Sequence, residues 1–203
     1  MRQWLSDTLD HILVWMRMRK RKPAAEVEDL RQLYLQAAVQ YHIAARYAAF
    51  AGFVPVCGVL FHHAIEMYLK GRLCLKLDES QLRGLGHRLK KVWKKFKEIM
   101  SDGTLDRFDR VISALDRHEL IRYPETIASR GMIGIIQFKP STTRGVQGVA
   151  TGPQPQFTTV VDELDDLAKT ILDKSGVNPS FFTVGLNADA MSFLTRDNKS
   201  VIW

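Results

Sequence analysis

Three ionisable side chains recur every four residues in one short segment: His62, Glu66 and Lys70. On an α-helix that spacing stacks them in a single column. A His and a Glu so placed can offer two ligands to a metal, but no His-Glu-x-x-His run and no cysteine at ligand spacing completes a set. The column therefore predicts a structural polar cluster that orients neighbouring helices. No metal and no other cofactor is expected. His42 and Arg46 form a second pair at the same spacing. Familiar catalytic signatures are absent: there is no glycine-rich phosphate loop and no Gly-x-Ser-x-Gly elbow. Cys57 and Cys74 lie in apolar helical context and read as buried thiols. Two cysteines build neither a disulfide framework nor a four-cysteine zinc site. Hydrolase, kinase and dehydrogenase readings have no motif to rest on.

The strongest electrostatic feature lies between residues 83 and 97, where seven basic residues occur without an acid. Arg88, Lys91, Lys94 and Lys95 can lie along a phosphate backbone. The competing reading is a solvated helix face. Trp93 and Phe96 fall on the apolar stripe of the same helix, which assigns them to the core.

These residues need a helical frame. The chain has 203 residues, 46% hydrophobic and 25% charged, with a formal charge of +7. Those values exclude global disorder and suit one domain with appendages. The positive charge fits attraction to nucleic acid or anionic lipid. No apolar run is long enough to span a membrane, no secretory signal is read, and a cytoplasmic protein is expected.

Periodicity predicts an amphipathic helix over 2–18, followed by the basic run Arg17 to Lys22. This N-terminal unit (1–23) reads either as a docking helix with a solvated linker or as a weak membrane-surface element. Helices are then expected from Ala24 to Phe50, Val56 to Leu77, His87 to Met100, Leu105 to Leu120 and Val161 to Lys174. The first of these carries a stripe of Leu30, Leu33, Tyr34, Ala37, Tyr41, Ala44 and Ala48. Tyr41, Ile65, Leu69, Trp93 and Phe96 are expected to anchor the core. Residues 131–160 read as an excursion from a helical domain spanning 24–175, with strands over 132–138 and 157–161 forming a small β-ribbon. The tail, 176–203, carries a short helix near Ala188 to Leu194.

The run Phe61-His62-His63-Ala64-Ile65-Glu66-Met67-Tyr68-Leu69-Lys70 resembles the second-helix signature of HEPN domains, approximately Ala-x-Glu-x-x-Leu-Lys. Ala44-Ala45-Arg46-Tyr47-Ala48 is similar to the end of the first HEPN helix. Gly86-His87-Arg88-Leu89 looks like the opening of the third, and Arg122-Tyr123-Pro124-Glu125 is similar to an Arg-Tyr-Pro-acid motif of many members. The resemblance covers about 26–128 and 161–174. It implies a mainly α fold, an antiparallel helical bundle that forms a homodimer. It also implies a place in toxin–antitoxin, defence or RNA-processing systems, often beside a nucleotidyltransferase.

Active members of that family are metal-independent ribonucleases whose signature is Arg, four to six residues, then His. Here Arg83 and His87 are separated by three residues and Arg110 and His118 by seven. A nonstandard catalytic set of Arg117, His118 and Arg122 is what the resemblance leaves. Arg122 has a competing role as the partner of Glu66 or another buried acid. The expected function is a noncatalytic HEPN-like module that binds RNA or a protein partner. The alternatives are a divergent metal-independent ribonuclease and a structural dimerisation protein.

Overall fold

The computed structural model describes residues 24–54, 56–130, 134–138 and 157–200. The amphipathic helix expected over 2–18, its basic run and most of the 131–160 segment lie outside these residues. The described chain is mainly helical, with one small two-stranded sheet. No described helix is long and apolar enough to cross a membrane.

Helix α1 (Ala24–Phe50) and helix α2 (Val56–Leu73) pack along their lengths as a helical hairpin. The turn between them includes Gly52 at φ +74°, a left-handed conformation that glycine adopts without a side-chain penalty. Helix α2 is the central element and packs also against the helices Leu89–Met100, Asp109–His118 and Val161–Ser175. It is buried nearly all round, including the polar side chains of His62, Glu66 and Lys70. Ile65 and Leu69 are fully buried within it.

Residues 78–86, expected as a plain connection, contain a short helix α3 (Glu79–Leu85). A capping box starts it: Asp78 accepts from the Gln81 N–H and the Gln81 side chain accepts from the Asp78 N–H. Helix α4 (Leu89–Met100) carries the lysine-rich face outward and buries Leu89, Val92, Trp93 and Phe96. Trp93 stacks on Phe96 with centroids 5.6 Å apart and donates its indole N–H to Asp109.

The single helix expected over 105–120 is divided into a 3₁₀ turn (Gly103–Phe108), helix α5 (Asp109–His118) and a second 3₁₀ turn (Leu120–Arg122). Pro124 opens the next helix rather than ending the last. It is the first residue of α6 (Pro124–Arg130), where the missing N–H leaves no helical bond unmade.

Strands β1 (Gly134–Gln137) and β2 (Phe157–Val160) pair in parallel, with Gly134 opposite Phe157 and Gln137 opposite Val160. The expected ribbon is a parallel pair, which cannot be closed by a hairpin turn. Its second strand is fixed to the body. Phe157 and Thr159 are buried, and β2 runs directly into helix α7 (Val161–Ser175). Two short helices, α8 (Ser180–Thr183) and α9 (Ala188–Thr195), complete the described chain.

The buried stripe of α1 is Leu35, Ala38, Val39, His42, Ala45, Arg46 and Ala48, about one residue out of phase with the expected stripe. Leu33 and Tyr41 face solvent, so Tyr41 is not a core anchor. The rotation has a cause. His42 and Arg46 are turned inward by a carboxylate contributed from α7.

Candidate functional site

Glu66 is fully buried in α2, where an isolated carboxylate would be costly. Its oxygens are met by three groups at closer range and by His63 Nδ1 at 4.0 Å. Lys70 Nζ, one turn further along α2, donates to Oε1 at 2.6 Å. His87 Nδ1, from the connection into α4, lies 3.1 and 3.3 Å from the two oxygens. His62 Nε2 is 3.8 Å away. Lys70 also donates to the Gly86 carbonyl, and His62 Nε2 to the His87 carbonyl at 3.0 Å. The column read from the sequence is therefore a polar cluster that fastens the 86–87 segment to α2.

A carboxylate only accepts hydrogen bonds, so His87 Nδ1 must carry the proton. Its Nε2 is then the nitrogen with a free lone pair in the neutral ring. The His87 side chain is 72% exposed while Glu66 is 0% exposed. A buried carboxylate thus fixes the tautomer and tilt of an imidazole at the surface, the arrangement by which a histidine that moves a proton is oriented. A second imidazole stands beside it. His63 is partly exposed, its ring centroid is 6.5 Å from that of His87, and Tyr41 of α1 packs against it at 5.6 Å. Burial first, and the adjoining His62 second, lower the His63 pKa below its ordinary value. Glu66 and Glu119 act in the opposite sense. His63 is consequently neutral at neutral pH.

The cation-rich helix begins at this cluster. Arg88 follows His87 and is exposed, as are Lys91 and Lys94; Lys95 is partly exposed. Lys91 Nζ donates to the Gly84 carbonyl, Lys95 pairs with Glu98, and Lys97 with Asp106 and Asp109. Arg88 and Lys94 form no ion pair among the described residues.

Arg117, His118 and Arg122 are not brought to one exposed point. His118 is fully buried, with Nε2 3.4 Å from Thr159 Oγ1 and its ring edge-on to Phe157. It lies against Gly58, where any Cβ would collide with the imidazole. Burial depresses its pKa to about 4. Arg117 lies over the Phe157 ring. Arg122 pairs with Glu119 at 2.7 Å and covers Tyr123, and its partner is not Glu66. Comparison with protein-family models, curated proteins and solved structures yields no match.

A second buried carboxylate, Asp165 of α7, is enclosed by α1 and the C-terminal segment. His42 Nε2 donates to Asp165 Oδ1 at 2.8 Å, and Arg46 pairs with Oδ2. Arg46 also donates to the carbonyls of Phe193 and Arg196. His42 Nδ1 and the Tyr68 hydroxyl are buried without hydrogen-bond partners among the described residues. Burial pushes both cysteine thiols up to about 11, which keeps them protonated and unreactive. No group of three or more His, Cys, Asp or Glu is arranged to hold a metal among the described residues. Around Glu66 the reason is visible, since Lys70 and the His87 N–H already occupy its oxygens.

Sequence reasoning missed His63, His87 as a partner of Glu66, and Tyr41 as a surface residue. The His62-His63 doublet carried a signal: at i,i+4 and i,i+3 both rings can reach Glu66, His62 at 3.8 Å and fully buried, His63 at 4.0 Å and partly exposed.

Proposed function

We propose that the chain is an HEPN-like module that binds RNA and does not depend on catalysis at Arg117, His118 and Arg122. One observation carries the reading. Arg88 and Lys94 are exposed on the face that begins beside His87 without an acid to neutralise them, and Lys91 and Lys95 extend the same helix. Unpaired cations in a row attract a polyanion by releasing its counterions. The test is single-stranded RNA affinity as a function of salt, for the parent and a variant with Arg88, Lys91, Lys94 and Lys95 changed to Gln. Each lost phosphate contact should reduce the slope of log affinity on log salt by about 0.7. Equal affinity and slope would move the binding surface elsewhere or leave the protein-partner reading. A homodimer belongs to the same proposal. Exposed Leu33, Phe53 and Val56 support it, and a monomer by sedimentation would refute it.

A second reading, a metal-independent ribonuclease with altered residues, is favoured by the His87–Glu66 pair and its neighbour His63. Such cleavage needs a base for the 2′-hydroxyl and an acid for the leaving 5′-oxygen. His63, held neutral, suits the base and leaves the acid to His87. The 2′-oxygen bonds to phosphorus as the bond to the 5′-oxygen breaks, giving a 2′,3′-cyclic phosphate and a 5′-hydroxyl. Cleavage in EDTA that disappears in both His63→Ala and His87→Ala would establish this reading. Intact RNA would leave the noncatalytic one.

A further inference from the structure

We propose that Tyr41, His63 and His87 form a row of rings on which unpaired bases stack, so that the module selects single-stranded over duplex RNA. The inference rests on the RNA-binding reading and adds to it the form of RNA that is bound. Three separate elements bring the rings together: α1 supplies Tyr41, α2 supplies His63, and the connection into α4 supplies His87. Their centroids advance by 5.6 Å and then 6.5 Å, and the row ends where Arg88 and the cationic face of α4 begin. Rings next to a cationic track are the two parts of a single-strand site, since bases stack on the rings while phosphates follow the charge.

The orientation of the rings decides the form of the strand. In a duplex the bases are parallel and stacked, with their faces covered by their neighbours. The three rings are not parallel, since Tyr41 is tilted by 40° to His63 and His63 stands at 89° to His87, so together they cannot meet the parallel faces of a stacked strand. They suit bases splayed from the strand, which is how unpaired RNA is recognised. The aromatics of the cationic helix and of the Arg-Tyr-Pro segment do not offer this. Trp93 and Phe96 are buried, and the exposed Tyr123 has one face covered by the Arg122 guanidinium at 4.5 Å. Nor does the carboxylate behind the row repel the strand, because Lys70 and His87 engage it.

The experiment compares the full chain with Tyr41→Ala and Tyr41→Phe. The probes are a short labelled RNA of mixed sequence and the same RNA annealed to its complement. Tyr41 is surface-exposed, so all three proteins should melt alike. Tyr41→Ala should weaken single-strand binding by about ten- to a hundredfold with an unchanged salt slope, because a ring is lost and no cation. Its duplex affinity should match the parent's, and Tyr41→Phe should bind as the parent does. An equal loss on both probes, or none on the single strand, overturns the proposal while leaving RNA binding intact. A parent that binds neither probe overturns the RNA reading itself, and this proposal with it.

Discussion

Two buried carboxylates organise this chain, and they differ in where their partners lead. Asp165 is held by His42 and Arg46, both from α1, and the carbonyls of Phe193 and Arg196 take further N–H groups of the same guanidinium. Every side chain in that cluster is buried. Glu66 is likewise met by a cation and a histidine, but its histidine belongs to a connection and stands mostly in water. One cluster is closed by the C-terminal segment; the other opens to the surface beside the cationic helix. Similar chemistry therefore serves two ends. A sealed carboxylate fixes helices, whereas an open one also orients a reactive ring.

The largest expected effect tests closure. Asp165→Asn leaves the Arg46 guanidinium buried without its counter-charge. Losing one partner of a buried pair costs about 3–5 kcal/mol, readable in urea unfolding. A loss below about 1 kcal/mol would mean that the C-terminal segment yields and lets water reach Arg46, and the two clusters would no longer differ in kind.

His118 sharpens the comparison as a buried histidine with no carboxylate at all. Its pKa stands at about 4 in the folded chain, against about 6.5 when unfolded. Between those values the unfolded state binds a proton that the folded state does not. Stability must therefore fall as pH drops from about 6.5 to 4, by about 3 kcal/mol in all. His118→Gln should flatten that slope, and an unchanged profile would show that the ring becomes protonated in place. At lower pH Asp102 takes over. Its carboxyl is held down to about 2, first by Lys174 and then by Thr104, so its contribution is lost as pH falls from the ordinary carboxylate value toward 2.

The sequence disclosed what is local and withheld what is distant. The His62-Glu66-Lys70 column and the His42-Arg46 pair were legible because helical geometry sets them. Long helices were legible for the same reason, and the observed bounds of α1 match the expected ones. Asp165 lies more than a hundred residues from His42 and Arg46, and no periodicity joins them. Without it, Leu33 and Tyr41 looked like the buried side of α1. His87 carried only the mark of a helix start, since its bond to Glu66 crosses 21 residues. His118 was readable in retrospect. It lies seven residues after Val111 and three after Leu115, both buried, a spacing that places it in the core.

A smaller effect is expected at the open cluster. Glu66→Gln removes the charge that faces Lys70 and His87, yet Lys70 keeps the Gly86 carbonyl and His87 already faces water. The cost should be about 1–3 kcal/mol, below that of Asp165→Asn under the same conditions. A larger cost would make the open cluster as structural as the closed one.

The smallest effect on stability, and the most telling, is expected from His87→Ala. Its ring is exposed, Glu66 retains Lys70, and His62 bonds to the backbone carbonyl at position 87, which alanine supplies equally well. Unfolding should shift by less than about 0.5 kcal/mol. His42→Ala, by contrast, deletes a fully buried ring and takes a donor from Asp165, so it should melt well below the parent. If His87→Ala loses RNA affinity or cleavage while melting as the parent does, the exposed imidazole serves a ligand and Glu66 positions it. If the variant instead melts with His42→Ala, His87 is a fastening for the connection into α4, and the open cluster does no more than the closed one.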